Sequence, residues 1–353
     1  MSLTSEEIIN RSNQETQEII QKILTAKSAV VVAHVNPDGD TLGSMLALAK
    51  VLEQAGVPRV DRVMHDEVPD IYRFFPDQEK VLCSMKENDR SQTLTEYDLS
   101  FSCDCGSVVR LGSAGRIWQK ALTTCNIDHH LSNPLYGMLN SVNPKATCTG
   151  QVVKAIADLL IQAGSKIHTD TDLASLYYIT LLTDTGGFRH SNTNADVFKW
   201  AQELVLQGAD PSELYRQLFN RMPFRAIKII GAALDKLELL ELKQGSRTIK
   251  LAYTYTTRVE MASLEAKDED TDEIVDHIMR IKDIDMCIYL REGQVKGKDT
   301  FKGSLRTSVD FIDCSKLAEQ LNGGGHARAA GFNLDAESFE VLREKVLKLI
   351  VNS

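Results

Sequence analysis

Residues 28–56 read SAVVVAHVNPDGDTLGSMLALAKVLEQAG, and this stretch indicates the fold. The near-continuous β-branched run Ser28–Val35 predicts a strand that is buried on both faces. The polar turn NPDGD follows, and apolar residues then recur at helical spacing as far as Gly56, a residue that suits a left-handed helix end. A buried strand, a turn and a helix predict the first unit of an open α/β sheet.

The pattern along the rest of the chain predicts two domains. Before residue 222, short apolar strands are predicted at Leu99–Cys103 and Thr123–Ile127, and helices at Gly150–Ala163, Asp172–Thr183 and Thr193–Gln207. Pro223–Leu242 is predicted to be one connecting helix, and alternating strands with two helices follow it. We therefore predict a domain over 1–222 with a mainly parallel sheet flanked by helices, a connecting helix or linker over 223–245, and a smaller α/β domain with a mixed sheet over 246–353.

The composition is that of a globular protein and excludes several classes. The 353 residues are 43% apolar and 25% charged, which is ordinary for a globular chain of about two domains. The formal net charge of −9 disfavours nonspecific binding to long duplex nucleic acid, which usually needs a basic surface. The seven cysteines form no CxxC pair, which argues against a zinc ribbon. With no signal peptide or apolar membrane span in the sequence, we expect a soluble, cytoplasmic protein without a membrane partner.

Acidic and imidazole residues gather where the predicted strands and one helix end. They are His34, Asp38, Asp40, Asp104, Asp128, His129, His130 and Asp184. Ligands of open α/β sheets bind at the carboxyl ends of strands, so these side chains are expected to meet in one crevice. Four converging aspartates, Asp38, Asp40, Asp104 and Asp184, would repel each other unless cations neutralised them. Two divalent ions would balance that charge, and imidazole ligands favour Mn²⁺, Co²⁺, Fe²⁺ or Zn²⁺ over Mg²⁺.

Each of these residues also has an ordinary structural interpretation. Asp40 could serve as the N-cap of a helix that starts at Thr41, and His34 could be a hydrogen-bonded core histidine. Cys105 could be a soft metal ligand or an oxidation site, although packing is the better interpretation. The segment 146–149, ATCT, could start a helix whose N-terminus contacts phosphate or the groups around the metals.

Four motifs of the first domain resemble those of the DHH phosphoesterase superfamily. They are HVNPDGD (34–40), DCGSVVRLG (104–112), IDHH (127–130) and LLTDTGGF (181–188). In the second domain, KGSLRTS (302–308) and LNGGGHARAAG (321–331) resemble the DHHA1 substrate-binding domain. Motif order and spacing match over about residues 28–335, and the two-domain size resembles the nanoRNase/pAp-phosphatase branch.

The resemblance implies a role for each of these residues. His34 and Asp38 would hold one metal ion, and Asp104 would bridge it to a second. The ligands of the second ion would be Asp40, His129 and Asp184. His130 would face the substrate phosphate, and Asp128 would orient the neighbouring histidines. Substrate-binding residues would be Arg306, Gly323, Gly324, Gly325, His326 and Arg110, although the glycines could equally form the C-cap of a helix that ends near Leu321.

The implied activity is hydrolysis of a phosphoester with two divalent metal ions, preferably Mn²⁺. Water would attack phosphorus in line, so that no protein nucleophile is needed. The expected substrates are short single-stranded RNA, cut from the 3′ end, and 3′-phosphoadenosine 5′-phosphate (pAp), converted to AMP. Hydrolysis of linear or cyclic dinucleotides (pApA, cyclic di-AMP) and of polyphosphate stay open as alternatives, as does a homodimer.

Overall fold

The computed structural model describes residues 4–85, 96–295, 298–335 and 338–352. The chain divides into two compact units, residues 1–221 and residues 222–353. Both are α/β structures, as predicted, with a parallel sheet in the first unit and a mixed sheet in the second. No helix among the described residues combines the length and apolarity needed to cross a bilayer.

The first unit is built on a parallel sheet of six strands in the order β3-β2-β1-β4-β5-β6. Its strands are β1 (Ser28–Val32), β2 (Arg59–Met64), β3 (Val81–Cys83), β4 (Leu99–Cys103), β5 (Thr123–Asp128) and β6 (Leu139–Val142). The helices are α1 (Ser5–Ile23), α2 (Gly39–Gln54), α3 (Ala114–Trp118), α4 (Thr149–Gln162), α5 (Thr171–Asp184), α6 (Ala195–Leu206) and α7 (Pro211–Phe219).

Burial of β1 on both faces explains its unbroken apolar sequence. Val31 packs into the larger apolar cluster together with α2, α4 and α5. Val30 and Val32 point the other way and pack with Val63 and Trp118. Successive side chains of a strand alternate between faces, so a strand covered on both sides has no polar position. The predicted strand is confirmed for Ser28–Val32, and residues 33–35 leave the sheet toward the site.

The second unit has a mixed sheet in the order β11-β12-β10-β9-β8-β7, in which β8 and β9 are parallel and the other pairs antiparallel. Its strands are β7 (Glu238–Gln244), β8 (Arg247–Thr256), β9 (Met286–Val295), β10 (Lys298–Thr307), β11 (Gly324–His326) and β12 (Ala329–Asp335). The helices are α8 (Phe224–Asp235), α9 (Arg258–Ser263), α10 (Ile274–Ile278), α11 (Cys314–Glu319) and α12 (Phe339–Asn352).

The connecting helix predicted over Pro223–Leu242 is wrong in its second half. Helix α8 ends at Asp235, and the chain then enters strand β7, which pairs with β8. Leucines recur so densely in this segment that helical and alternating spacing both fit them. Pairing decides the outcome: Leu240 and Leu242 pack against the core of the second unit, while Leu239 faces solvent. Residues 223–245 therefore belong to the second unit as a helix and a strand.

Glycines bring the ends of three helices of the first unit close together. A Cβ atom built on Gly150 of α4 would lie 2.0 Å from Thr180 Oγ1 of α5. One built on Gly43 of α2 would lie 2.9 Å from Thr180 Cγ2, and one on Gly39 would lie 2.3 Å from Thr183 Cγ2. Helices that approach this closely carry their terminal polar groups into one small volume.

Gly150→Ala should therefore destabilise the protein by forcing α4 away from α5. Overpacking of this kind costs about 1–3 kcal/mol, which lowers Tm by roughly 2–10 °C in a domain of this size. Thermal unfolding followed by circular dichroism measures it. The matched control is Gly231→Ala in α8, where no atom lies within 4 Å of the added carbon and alanine favours the helix. Equal Tm values for Gly150→Ala and wild type would contradict the packing argument.

Candidate metal centre and phosphate pocket

The strand ends deliver the predicted acidic and imidazole residues to one site in the first unit. His34 and Asp38 follow β1, Asp104 follows β4, and the pair His129–His130 follows β5. Asp104 has a φ of 54°, so the chain turns in the left-handed region directly after its strand. A turn at this point keeps the carboxylate at the sheet edge, where the other strand ends also lie.

Asp40, His129 and Asp184 form one cluster of candidate ligands. Their ligand atoms all lie within 4.8 Å of one another. His129 Nε2 is 3.1 Å from Asp184 Oδ2 and 3.9 Å from Asp40 Oδ2. Asp104 adjoins this cluster, because its Oδ1 lies 3.6 Å from His129 Nε2. This is the set that the family resemblance implies for one ion, with Asp104 at the boundary of the two sites.

The residues implied for the other ion surround the hydroxyl of Thr41. Its Oγ1 lies 2.8 Å from His34 Nε2, 2.9 Å from Asp38 Oδ1 and 2.7 Å from Asp104 Oδ2. A hydroxyl has one proton to donate and can satisfy only one of these acceptors at a time. The site therefore holds more acceptors than protein donors, which suits a cation.

Backbone carbonyls fix the two candidate histidine ligands in the tautomer that a metal needs. His34 Nδ1 lies 2.7 Å from Val35 O, and His129 Nδ1 lies 3.3 Å from Ala146 O. A carbonyl oxygen only accepts, so Nδ1 carries the proton in each ring and Nε2 keeps its lone pair. Burial lowers the pKa of both histidines, which keeps them neutral.

Asp128 is saturated by protein donors and acts on the histidine pair. Its Oδ1 accepts from the His129 and His130 backbone N–H groups and from His130 Nδ1, at 2.7, 3.2 and 2.7 Å. Its Oδ2 accepts from Asn133 Nδ2 at 2.5 Å. Burial would raise the pKa of Asp128, but the hydrogen bond from His130 lowers it. The same hydrogen bond raises the pKa of His130 to about 9 and makes this ring a cationic donor.

The carboxylates of Asp40, Asp104 and Asp184, of which the first two are buried and the third half-buried, have no cation of the protein that would neutralise all of them. Burial, and then the neighbouring aspartates, raise the pKa of Asp40 and of Asp184 well above the usual range. Burial and the charge of Asp38 raise the pKa of Asp104 to about 7. Carboxylates that repel one another in this way fit a site for divalent cations. Oxygen and imidazole ligands together suit Mn²⁺ and related ions.

The structure corrects the interpretation of Asp40 as an N-cap. Asp38 caps α2, because its Oδ1 accepts from the Thr41 N–H at 2.9 Å. Asp40 lies inside the first turn and accepts from the N–H groups of Thr149 and Gly150, at 2.7 and 3.2 Å. Thr149 Oγ1 also lies 3.0 Å from Asp104 Oδ1. The segment 146–149 therefore supports the candidate ligands, as one of its predicted interpretations had it.

Arg110 and Cys105 both lie beside the site, but Arg110 is exposed and Cys105 is buried. Arg110 is exposed, and its Nη2 lies 3.0 Å from His34 Nε2, the atom expected to bind metal. Cys105 is buried in the apolar cluster with Trp118, and its Sγ donates to Ser107 O at 3.0 Å. Burial raises the pKa of this thiol, so it stays protonated, as the packing interpretation expects.

The second unit contains a pocket of about 340 Å³ beside β10. Lys302, Ser304 and Arg306 alternate along β10, so their side chains share one face, and all three line the pocket. Gly324 and Gly325 of β11 form another wall. Two cationic side chains beside exposed glycine backbone suit a phosphate. The K-x-S-x-R spacing in the sequence could have indicated that these three side chains share one face of a strand, but Lys302 and Ser304 were not predicted as binding residues.

Of the five substrate-binding residues predicted in the second unit, Gly323 and His326 do not line this pocket. His326 is exposed at the end of β11 and is not among the lining residues. The N–H of Gly323 donates to Ala318 O at 2.8 Å and closes the end of α11, as its alternative interpretation predicted. A Cβ on Gly323 would lie 2.2 Å from Gly331 O, so packing alone requires glycine here.

Comparisons with known families agree with this arrangement. The DHH family N-terminal domain matches residues 28–181, and the DHHA1 domain matches residues 249–352. The chain belongs to the DHH/DHHA1 phosphoesterases. Within them it belongs to the nanoRNase-like branch, as the sequence motifs predicted.

Curated relatives and a solved structure match nearly the whole DHH/DHHA1 chain. The bifunctional oligoribonuclease and PAP phosphatase of Thermus thermophilus is 28% identical over 341 residues, which are 95% of this chain and 94% of the relative. The Bacillus subtilis protein of the same description is 24% identical and covers 90% of this chain and 92% of its own. A crystal structure of an exopolyphosphatase-related protein from Bacteroides fragilis has the same fold, with a TM-score of 0.83, 22% identity, and coverage of 96% and 97%.

Metal-free protein should become less stable as pH rises from 6.5 to 9. Folding raises the pKa of Asp104 to about 7 and of His130 to about 9, so the folded chain holds protons that the unfolded chain has released. The stability due to these protons is lost as pH rises through those values. Thermal unfolding in excess EDTA measures the slope of Tm against pH. Asp104→Asn should flatten it, the exposed Asp196→Asn should not, and a Tm that rises with pH would contradict the charge assignment.

The DHH motifs should bind two divalent ions for each chain. Titration calorimetry with Mn²⁺ should show two sites in the wild type, and Asp104→Ala should weaken both because this carboxylate adjoins both clusters. Asp196→Ala is the control. After chelation, Mn²⁺ should restore hydrolysis better than Mg²⁺, and full turnover in excess chelator would rule out the metal site.

Proposed function

We propose that the protein hydrolyses short oligoribonucleotides from the 3′ end and converts pAp to AMP. The observation that carries this proposal is the cluster of the buried Asp40 and Asp104 with the half-buried Asp184 and His129, which fits divalent cations. The Thermus thermophilus and Bacillus subtilis relatives are both described as oligoribonucleases and PAP phosphatases, and they match the chain along nearly its whole length.

In the proposed reaction, the metal ligands and the groups that hydrogen-bond to them are already in position before substrate binds. His34, His129, Asp38, Asp40, Asp104 and Asp184 would hold the ions. The ions would supply a water of lowered pKa and stabilise the charge that develops on the phosphoryl oxygens. Backbone N–H groups of α4 hold the Asp40 carboxylate, and Thr149 holds Asp104. These contacts fix the ligand oxygens in advance, so little reorganisation is needed during the reaction.

His130 would contact the substrate. Asp128 holds its Nδ1–H and favours the imidazolium form, which leaves Nε2–H free to donate to a phosphoryl oxygen. Arg110 would leave His34 Nε2 when an ion binds there, and its guanidinium would then be available to the substrate phosphate. Its exposure makes this movement inexpensive.

The pocket beside β10 would bind a phosphate other than the scissile one. Arg306 and Lys302 supply positive charge that is independent of metal, and both line the pocket. A substrate held at such a second phosphate must carry at least two phosphate groups, as pAp and short RNA do. This requirement supports an oligonucleotide or bisphosphate substrate over a simple monoester.

A substrate panel tests the proposed function directly. The Mn²⁺-loaded protein is incubated with pAp, pApA, RNAs of increasing length, cyclic di-AMP and polyphosphate, and kcat/KM is compared. We expect the highest values for pAp and the shortest RNAs, with mononucleotides released from the 3′ end. Faster turnover of cyclic di-AMP or of polyphosphate would replace the proposal with one of its alternatives.

Arg306→Ala should separate phosphate binding from catalysis. The Arg306 Nη1 donates only to its neighbour Leu305 O at 3.1 Å, and no carboxylate of the described residues forms an ion pair with it. The variant should therefore keep its Tm and metal content. Loss of one charge-assisted contact, worth about 1.5–3 kcal/mol, should lower kcat/KM for pAp by roughly 10- to 150-fold. Hydrolysis of bis-p-nitrophenyl phosphate, which has only the scissile phosphate, should change little.

The matched control is Arg328→Ala. Arg328 pairs with the exposed Asp310 and does not line the pocket, so its loss should leave both substrates unaffected. Equal losses on both substrates in Arg306→Ala, together with a lowered Tm, would assign Arg306 a structural role.

A further inference from the structure

An acidic side chain lies in the pocket whose other charged groups are cations. Asp272 lines the pocket beside β10 together with Lys302 and Arg306. A carboxylate at the wall of a phosphate site repels the ligand that its neighbours attract, so its presence calls for a physical explanation.

Asp272 has no protein partner within the part of the chain that the structure describes. The acidic residues just before it are used in the fold: Asp268 pairs with Arg291 at 2.6 Å, and Asp270 pairs with Arg225 at 2.7 Å. No hydrogen bond or ion pair of a described residue reaches the Asp272 carboxylate. Asp272 is exposed to solvent; partial desolvation in the pocket raises its pKa, and the positive charge of Lys302 only partly offsets this. Its acceptor atoms are therefore free to receive a donor from a ligand.

The surroundings of Asp272 suit the nucleoside part of a nucleotide. Val275, Tyr289 and Ala330 supply an apolar wall to the same pocket. The Tyr289 hydroxyl is already engaged with Thr256 Oγ1 at 2.6 Å, so its ring is what remains for contact. A nucleoside combines an apolar base with donors, the ribose hydroxyls and the base amino group. An inorganic phosphate chain has no base, no ribose hydroxyl and no amino group.

We propose that Asp272 is a specificity-determining residue that accepts a hydrogen bond from a donor on the nucleoside of the bound nucleotide. The inference rests on the proposed function. It adds a requirement for a nucleoside in the substrate, which neither the metal centre nor Arg306 imposes. Lys302 and Arg306 select for phosphate, whereas Asp272 selects for a phosphate that carries a nucleoside. Polyphosphate would meet the first requirement and be repelled at the second.

Kinetics of Asp272 variants test this assignment. Asp272→Ala and Asp272→Asn are compared with Asp276→Ala, an exposed aspartate on α10 that does not line the pocket. A hydrogen bond to a charged group is worth roughly 10- to 150-fold in affinity, so Asp272→Ala should lower kcat/KM for pAp by that factor. The loss in Asp272→Asn should be smaller, because an amide oxygen still accepts. Turnover of tripolyphosphate should not fall in either variant, and Tm and Mn²⁺ content should stay those of the wild type.

Substrate analogues identify the donor. The 2′-deoxy analogue of pAp lacks the ribose hydroxyl, and the inosine analogue lacks the base amino group. In the wild type, the analogue that lacks the relevant donor should be hydrolysed as poorly as pAp is by Asp272→Ala. For that analogue, kcat/KM should be the same in Asp272→Ala as in the wild type. Full activity of the wild type on both analogues would overturn the inference.

The outcomes separate this inference from the proposed function. If the wild type hydrolyses pAp and short RNA, and Asp272→Ala matches Asp276→Ala on every substrate, the inference fails and the proposed function stands. If the wild type hydrolyses no nucleotide, both fail. Binding of pAp to the metal-free full chain, measured by calorimetry, gives a reading that does not depend on turnover. It should weaken in Asp272→Ala by the same factor as kcat/KM, and unchanged binding would overturn the inference.

Discussion

Mutual repulsion of buried carboxylates is the constraint on which the first unit depends. Asp40 and Asp104 are almost inaccessible to solvent and lie close to Asp184, and each raises the pKa of its neighbours. Such a group is not stable on its own account, because desolvation and like charge both oppose ionisation. The large apolar core around β1, α2 and α5 supplies the stability that holds the carboxylates in place. Cations that bind there add to stability by mass action, so the fold and the metal site are energetically linked.

The number and type of donors decide what each aspartate does. Asp40 and Asp104 receive neutral donors, the N–H groups of α4 and the hydroxyls of two threonines, which orient the oxygens without cancelling their charge. Asp128 receives several donors, one of them a cationic imidazole, and has little acceptor capacity left for a metal. Aspartate therefore supplies both candidate ligands and a positioning group. The donors to Asp128 lie within five residues of it, whereas those to Asp40 and Asp104 come from Thr149, Gly150 and Thr41, which are distant from them in sequence.

The residue pattern predicted that these acidic and imidazole side chains would meet at the strand ends, whereas the contacts that support the candidate metal centre depend on tertiary packing. A short, unbroken β-branched run favours a strand buried on both faces, so the residues that follow it are expected at the sheet edge. Nothing local in the sequence says that Thr41 would contact three acceptors or that Thr149 would reach Asp104 across the sheet. The same limit explains β7: its leucines fit two periodicities, and only pairing with β8 selects the strand. His326 was assigned from its motif; it lies at the end of the short strand β11 and is not among the residues that line the pocket, and its role in substrate binding stays a prediction.

The candidate metal centre of the first unit is lined by carboxylates, whereas the pocket of the second unit has more cationic than acidic side chains. Under the proposed function, this would separate the source of substrate affinity from that of turnover. Without cations, the first unit presents carboxylates, which repel a phosphate. The pocket of the second unit has its own cations in Lys302 and Arg306, which stay charged whether or not metal is present. Under the proposed function, phosphate affinity in the second unit would therefore be independent of the ions, whereas the chemistry in the first unit would require them. A chain with a net charge of −9 would bind an anionic substrate in this way, because Lys302 and Arg306 outnumber Asp272 at the pocket, while salt screens the diffuse negative charge of the remaining surface.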